Sequence, residues 1–153
     1  MRQLLACLIC LAPFADAIAQ PAPPPHAWLF GVWTGGLFPA EPHPTAERCL
    51  AQPSVIFTRD VVLRATLTDV TFVQRVVATA RTANGRTDFT FAPAPAQSAG
   101  NDPLTGLPAT QAAAPGFGCA GADELHVERR GANEIVFPGC ADFPNPLVRC
   151  PGR

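Results

Sequence analysis

Ala83-Asn84-Gly85-Arg86 is the tightest local constraint in this chain. Asn-Gly adopts the positive backbone angles of a type I′ turn, whose twist matches that of the two strands it joins. With Asn84 and Gly85 as the loop, Arg81 faces Asp88, Ala80 faces Phe89, Thr79 faces Thr90 and Ala78 faces Phe91. One face then collects charge and hydroxyls, and the other sets small residues against aromatics, as a half-buried hairpin requires.

The flanking sequence continues in the same style. Val61, Leu63, Ala65 and Leu67 alternate with Val62, Arg64, Thr66 and Thr68, giving a strand with a dry face and a mostly wet one. Val70 to Thr82 also fits a helical stripe capped by Asp69, but its Val and Thr content favours a pleated surface. Gln74 interrupts the apolar even-numbered face and marks a candidate bulge. Leu125 to Phe137 reads as a second hairpin, bending at Arg130-Gly131-Ala132-Asn133. Trp28 to Thr34 reads as the first strand and Ser54 to Phe57 as another short one. Pro39, Pro42 and Pro44 predict a loop from Pro39 to Pro53, and the proline-rich tail after Pro138 predicts one without a ladder.

At 153 residues the chain supports one domain. Arg2, the apolar run Leu4 to Ala12 and the small-x-small Ala17-Ile18-Ala19 read as a signal peptide over residues 1–19, cleaved after Ala19. Residues 20–27, with four prolines, form an extended arm, and residues 28–153 a single β-domain. The expected location is the periplasm or the exterior, with no membrane span in the mature chain. Cleavage leaves Cys49, Cys119, Cys140 and Cys150, an even set that predicts two disulfides. Three connectivities are open; Cys140 with Cys150 and Cys49 with Cys119 is the preferred one, with loops contributing roughly 3 and 4 kcal/mol.

From Pro93 to Gly118 the composition shifts to Ala, Pro, Gly, Ser, Asn and Gln, predicting a flexible low-complexity loop. Leu104 and Leu107 are its apolar members and candidate partner-binding residues, against the plainer reading of a solvated insertion.

Catalytic groups are scarce: the mature chain has three His, two Ser and neither Lys nor Tyr. Ser54, Ser98 and His126 lack a Gly-x-Ser-x-Gly setting. His126, or His43 beside Glu41 or with His26, could serve a hydrolase or a metal site with nearby carboxylates, yet proline-rich segments preorganise ligands poorly. No catalytic, cofactor or metal residues are assigned, and no cofactor is called for. A net charge of -1 and the absence of basic residues interleaved with aromatics disfavour nucleic acid as a partner.

Gly31-x-Trp33 resembles the start of lipocalin-like barrels, including small secreted bacterial inhibitors of metalloproteases. The resemblance implies that Trp33 closes one end of a barrel under an arginine from a late strand, with Arg129 and Arg149 as candidates. Phe137-Pro138-Gly139-Cys140 and Phe143-Pro144-x-Pro146-Leu147 resemble a family of small exported alphaproteobacterial proteins to which no activity is attached. The expectation is a mainly β, disulfide-stapled antiparallel barrel or sandwich of about six strands. It acts as a non-enzymatic module that binds a protein or a small hydrophobic ligand.

Overall fold

In a computed structural model the chain folds as a closed antiparallel barrel. The structure describes residues 22–51, 53–67, 69, 72–93 and 116–152. The strands are β1 (Gly31–Gly35), β2 (Ser54–Phe57), β3 (Val61–Ala65), β4 (Val73–Ala83), β5 (Arg86–Phe91), β6 (Glu124–Arg129), β7 (Glu134–Val136) and β8 (Leu147–Arg149). Each pairs with its neighbour in sequence, and β8 returns to β1, so the sheet has no free edge strand. Of the two expected architectures, the barrel is the one formed, with eight strands rather than about six, the tail after Pro138 contributing β8.

The Asn-Gly hairpin has the expected register: Arg81 opposes Asp88, Ala80 opposes Phe89 and Thr79 opposes Thr90, with φ of 52° at Asn84 and 78° at Gly85. A bulge lies between Val77 and Thr79, not at Gln74, so Phe91 faces Val77 rather than Ala78. The segment after Asp69 is strand from Val73 onward, as its β-branched content predicts.

Several expectations are corrected. Trp28 lies in a short 3-10 helix, η1 (Ala27–Leu29), and β1 starts only at Gly31. Within the Pro39 to Pro53 connection an α-helix, α1 (Ala46–Ala51), forms once the prolines are passed, with the Thr45 hydroxyl accepting the Arg48 amide at 3.3 Å. On β3 the inner face belongs to Val62 and Arg64, both buried, while Val61, Leu63 and Ala65 face outward. Arg64 tolerates the interior because Asp142 accepts from its Nη1 at 3.0 Å and Asp69 lies 3.6 Å away. The disulfides are Cys49–Cys150 and Cys119–Cys140, not the preferred pairs. The β1–β2 connection brings Cys49 to the chain end after β8, and the connections flanking β6 and β7 bring Cys119 to Cys140. With separations of 101 and 21 residues, they contribute roughly 4.7 and 3 kcal/mol in the chain-entropy account.

The core is one aromatic-rich cluster. Phe57, Phe89, Phe91, Phe117, Phe137 and Phe143 connect ring to ring at centroid distances from 5.6 to 6.4 Å. Phe117 comes from the end of the low-complexity stretch and is fully buried, so that stretch supplies core at its C-terminal margin. Leu104 and Leu107 lie outside the described residues.

Candidate functional site

The barrel has two unlike ends. At one, the β2–β3, β4–β5 and β6–β7 turns are short and η1 lies across the opening. At the other, the longer β1–β2, β3–β4, β5–β6 and β7–β8 connections gather.

The first end is closed by interlocked aromatic and arginine side chains. Arg149 stacks over Trp33 at 4.2 Å, and Arg129 stacks over Trp28 at 4.3 Å. Thus Arg149, not Arg129, sits on Trp33. It donates from Nη1 to the Phe30 carbonyl at 2.7 Å and from Nη2 to the Trp28 carbonyl at 2.6 Å. Burial, with a smaller contribution from the Arg129 charge, lowers the Arg149 pKa from its ordinary value. Trp33 Nε1 donates to the Leu29 carbonyl at 2.8 Å. These contacts give Gly31-x-Trp33 a physical cause: Gly31 has φ 119°, and a Cβ there would meet Arg149 Nη1 at 3.3 Å. His26 docks the proline-rich arm at the same end; its Nε2 donates to the carbonyls of Thr58 and Arg59, while Nδ1 is buried without a partner. The Thr82 hydroxyl adds a bond to the Pro25 carbonyl at 3.0 Å.

The second end is filled. Phe117 and Phe143 enter from the β5–β6 and β7–β8 connections and meet at 6.4 Å, and the Ala141 amide donates to the Gly118 carbonyl at 2.8 Å beside Cys119–Cys140. Arg75 is buried, donating to the Ala122 carbonyl at 2.8 Å and pairing with Asp123.

A concavity of about 650 Å³ lies on the outer wall instead. It is lined by Val136, Phe137, Pro138, Phe143, Pro144 and Pro146 together with the charged Glu128, Arg130 and Glu134. The β6–β7 ladder ends at Glu128 and Val136, since Pro138 has no amide to extend it, and the β7–β8 connection folds away to form the opposite wall. The prolines after Phe137 signalled a loop; nothing local signalled that it would border a groove.

The candidate chemical groups are dispersed. His126 Nδ1 donates to Asp88 Oδ1 at 2.7 Å, and Arg86 Nε donates to the same oxygen at 2.6 Å, on the solvent side of β5 and β6. The Arg86 bond chiefly holds the Asp88 carboxyl below its ordinary value; burial opposes it and His126 assists. Arg86 and Asp88, but not His126, line a separate surface hollow. Ser54 is buried on β2, on the opposite side of the strand order from β6, and Ser98 is outside the described residues. His43 is exposed near Cys150, Glu41 pairs with Arg48 at 3.7 Å, and His26 is buried elsewhere. Among the described residues no three His, Cys, Asp or Glu side chains cluster as metal ligands.

Fold and wall together define a disulfide-stapled antiparallel β-barrel, a construction suited to an oxidising compartment. No protein-family model, curated protein or solved structure matches the chain. No described helix is long and apolar enough to cross a membrane.

Proposed function

We infer that this protein is an exported, non-enzymatic binding module of the periplasm or cell exterior, matured by cleavage after Ala19, that holds a protein partner in the groove along β7 and residues 137–146. The observation that carries this reading is the contrast between a barrel interior occupied by packed phenylalanines and an outer groove of about 650 Å³ lined by both apolar and charged side chains. A filled interior favours a protein over a small hydrophobic ligand. The Gly31-x-Trp33 and Arg149 arrangement supports a lipocalin-like relationship, in which protease inhibition is the most specific form of the function. Affinity capture from native culture with mature protein, run against Val136→Arg, tests the groove. A protein retained by the wild type and lost by the variant supports it; equal retention by both refutes it.

One observation favours a second reading. The Asp88–His126 bond orients the imidazole with Nε2 free, as a hydrolase base requires. Ester or peptide hydrolysis abolished by His126→Ala would establish that reading in place of the first.

A further inference from the structure

The chain has four asparagines, and their successors differ: Asn84 precedes Gly85, Asn101 precedes Asp102, Asn133 precedes Glu134 and Asn145 precedes Pro146. The β4–β5 turn sets the first of them apart. Asn84 and Gly85 are both exposed, and a Cβ built on Gly85 would meet nothing within 4 Å. The turn is held from its flanks: Ala83 pairs with Arg86, and the Gly85 carbonyl accepts the Arg129 amide at 3.0 Å. Among the described residues, no hydrogen bond engages the Asn84 side chain, the Asn84 carbonyl or the Gly85 amide. Asn145, by contrast, donates from Nδ2 to the Leu37 carbonyl at 3.0 Å and is followed by a residue without an amide hydrogen. The Asn133 carbonyl accepts the Arg149 amide at 2.9 Å, and Asn101 lies outside the described residues.

We propose that Asn84 is a site of self-modification in the folded protein, where the Gly85 amide nitrogen closes on the Asn84 side chain to give a cyclic imide and then an acid. The nitrogen bonds to Asn84 Cγ, the Cγ–Nδ2 bond breaks, and Nδ2 leaves as ammonia with the proton that Gly85 gives up. Water then opens the imide at either carbonyl, leaving aspartate or, with the main chain rerouted through Cβ and Cγ, isoaspartate. Ring closure makes a stereochemical demand. It eclipses the Gly85 nitrogen with Asn84 Cβ, which for an L-residue sets ψ at about −120°, the value of a type II′ turn. Type I′ and II′ turns share a φ of about +60° at the first loop residue; a flip of the central peptide takes its ψ from about +30° to about −120° and the next φ from about +90° to about −80°. Asn84, at φ 52°, already suits both turns, and Gly85 crosses between the two φ values without a Cβ to obstruct it. The flip turns only the Asn84 carbonyl and the Gly85 amide, the two backbone groups of the turn without partners. Both turns fit a two-residue hairpin, so β4 and β5 stay paired while the ring forms.

The test is incubation of the mature protein at mildly alkaline pH, with peptide mapping for the amide-to-acid mass change and isoelectric focusing for the added negative charge. Conversion should fall on Asn84 ahead of Asn133 and Asn145. In the folded protein it should be no more than about tenfold slower than in the guanidinium-unfolded chain, equivalent to about 1.4 kcal/mol for the flip. Asn84→Gln, which would need a six-membered ring, should remove the acidic form. Phe117→Ala loosens the core at the other end of the barrel and should leave the rate unchanged. A folded protein whose Asn84 stays intact while the unfolded chain converts overturns the proposal. So does a rate that climbs with Phe117→Ala, which would place the reaction in the opened chain rather than in the folded hairpin.

Discussion

Phe117→Ala measures how far the connection after residue 115 belongs to the core. The ring is fully buried, with Phe91 at 5.6 Å, Phe137 at 6.0 Å and Phe143 at 6.4 Å. A buried phenylalanine removes about 150–250 Å² from water, so at about 25 cal/mol per Å² its full transfer is worth roughly 4–6 kcal/mol. Alanine keeps part of that, but a cavity remains, and Phe→Ala substitutions in cores cost about 3–5 kcal/mol. The upper half of that range is expected here, because Cys119–Cys140 and the Gly118–Ala141 bond hold the backbone and oppose collapse into the hole. Urea unfolding under oxidising conditions, followed by circular dichroism and by tryptophan emission, provides the assay. With a slope near 2 kcal/mol/M, a loss of about 4 kcal/mol lowers the midpoint by about 2 M. Both tryptophans lie at the opposite end of the barrel, so coincident curves show that mouth and closed end unfold together. A loss below about 1 kcal/mol would refute the reasoning, since no fully buried aromatic in a tight cluster is so cheaply removed.

Arg149→Met should cost about 2–4 kcal/mol, because it leaves the half-buried Trp28 and Phe30 carbonyls without this donor and uncovers Trp33; Arg149→Lys should recover little, as an ammonium cannot stack and fork at once. Equal stability of the Lys variant and wild type by urea unfolding would contradict this. The lowered Asp88 pKa means that its carboxylate stabilises the fold above the unfolded carboxyl range, and that this stabilisation fades as pH falls through the folded value. Being half-exposed, the pair contributes no more than about 1 kcal/mol. In a carboxyl NMR titration Arg86→Ala should raise the Asp88 midpoint more than His126→Ala does; the reverse order would overturn the assignment of cause.

Local chemistry determined much of this molecule. Asn84-Gly85 imposed the register of β4 and β5 because only a turn with positive φ matches the strand twist, and a single bulge at Val77 was enough to displace the last expected pair. The β-branched run decided strand over helix after Asp69, and four cysteines in a chain with an export-like start pointed to two cross-links. Candidate chemical groups were legible as types, not as a site: Asp88 does lie opposite Arg81, but its side chain bonds to Arg86 two positions along β5 and to His126, which only the β5–β6 pairing brings opposite it.

Only the closed barrel decided what faces inward and what meets across the sheet. Arg64 turned in, and Leu63 out, because Asp69 from the loop that follows β3 and Asp142 from the distant β7–β8 connection receive the guanidinium, something no alternation along β3 records. Arg149 rather than Arg129 covers Trp33 because β8 pairs with β1 and brings those residues into register, and the cysteines join according to which connections reach the same end. A residue's neighbours along the chain set its backbone geometry, but its partners across a barrel are fixed only when the first and last strands meet.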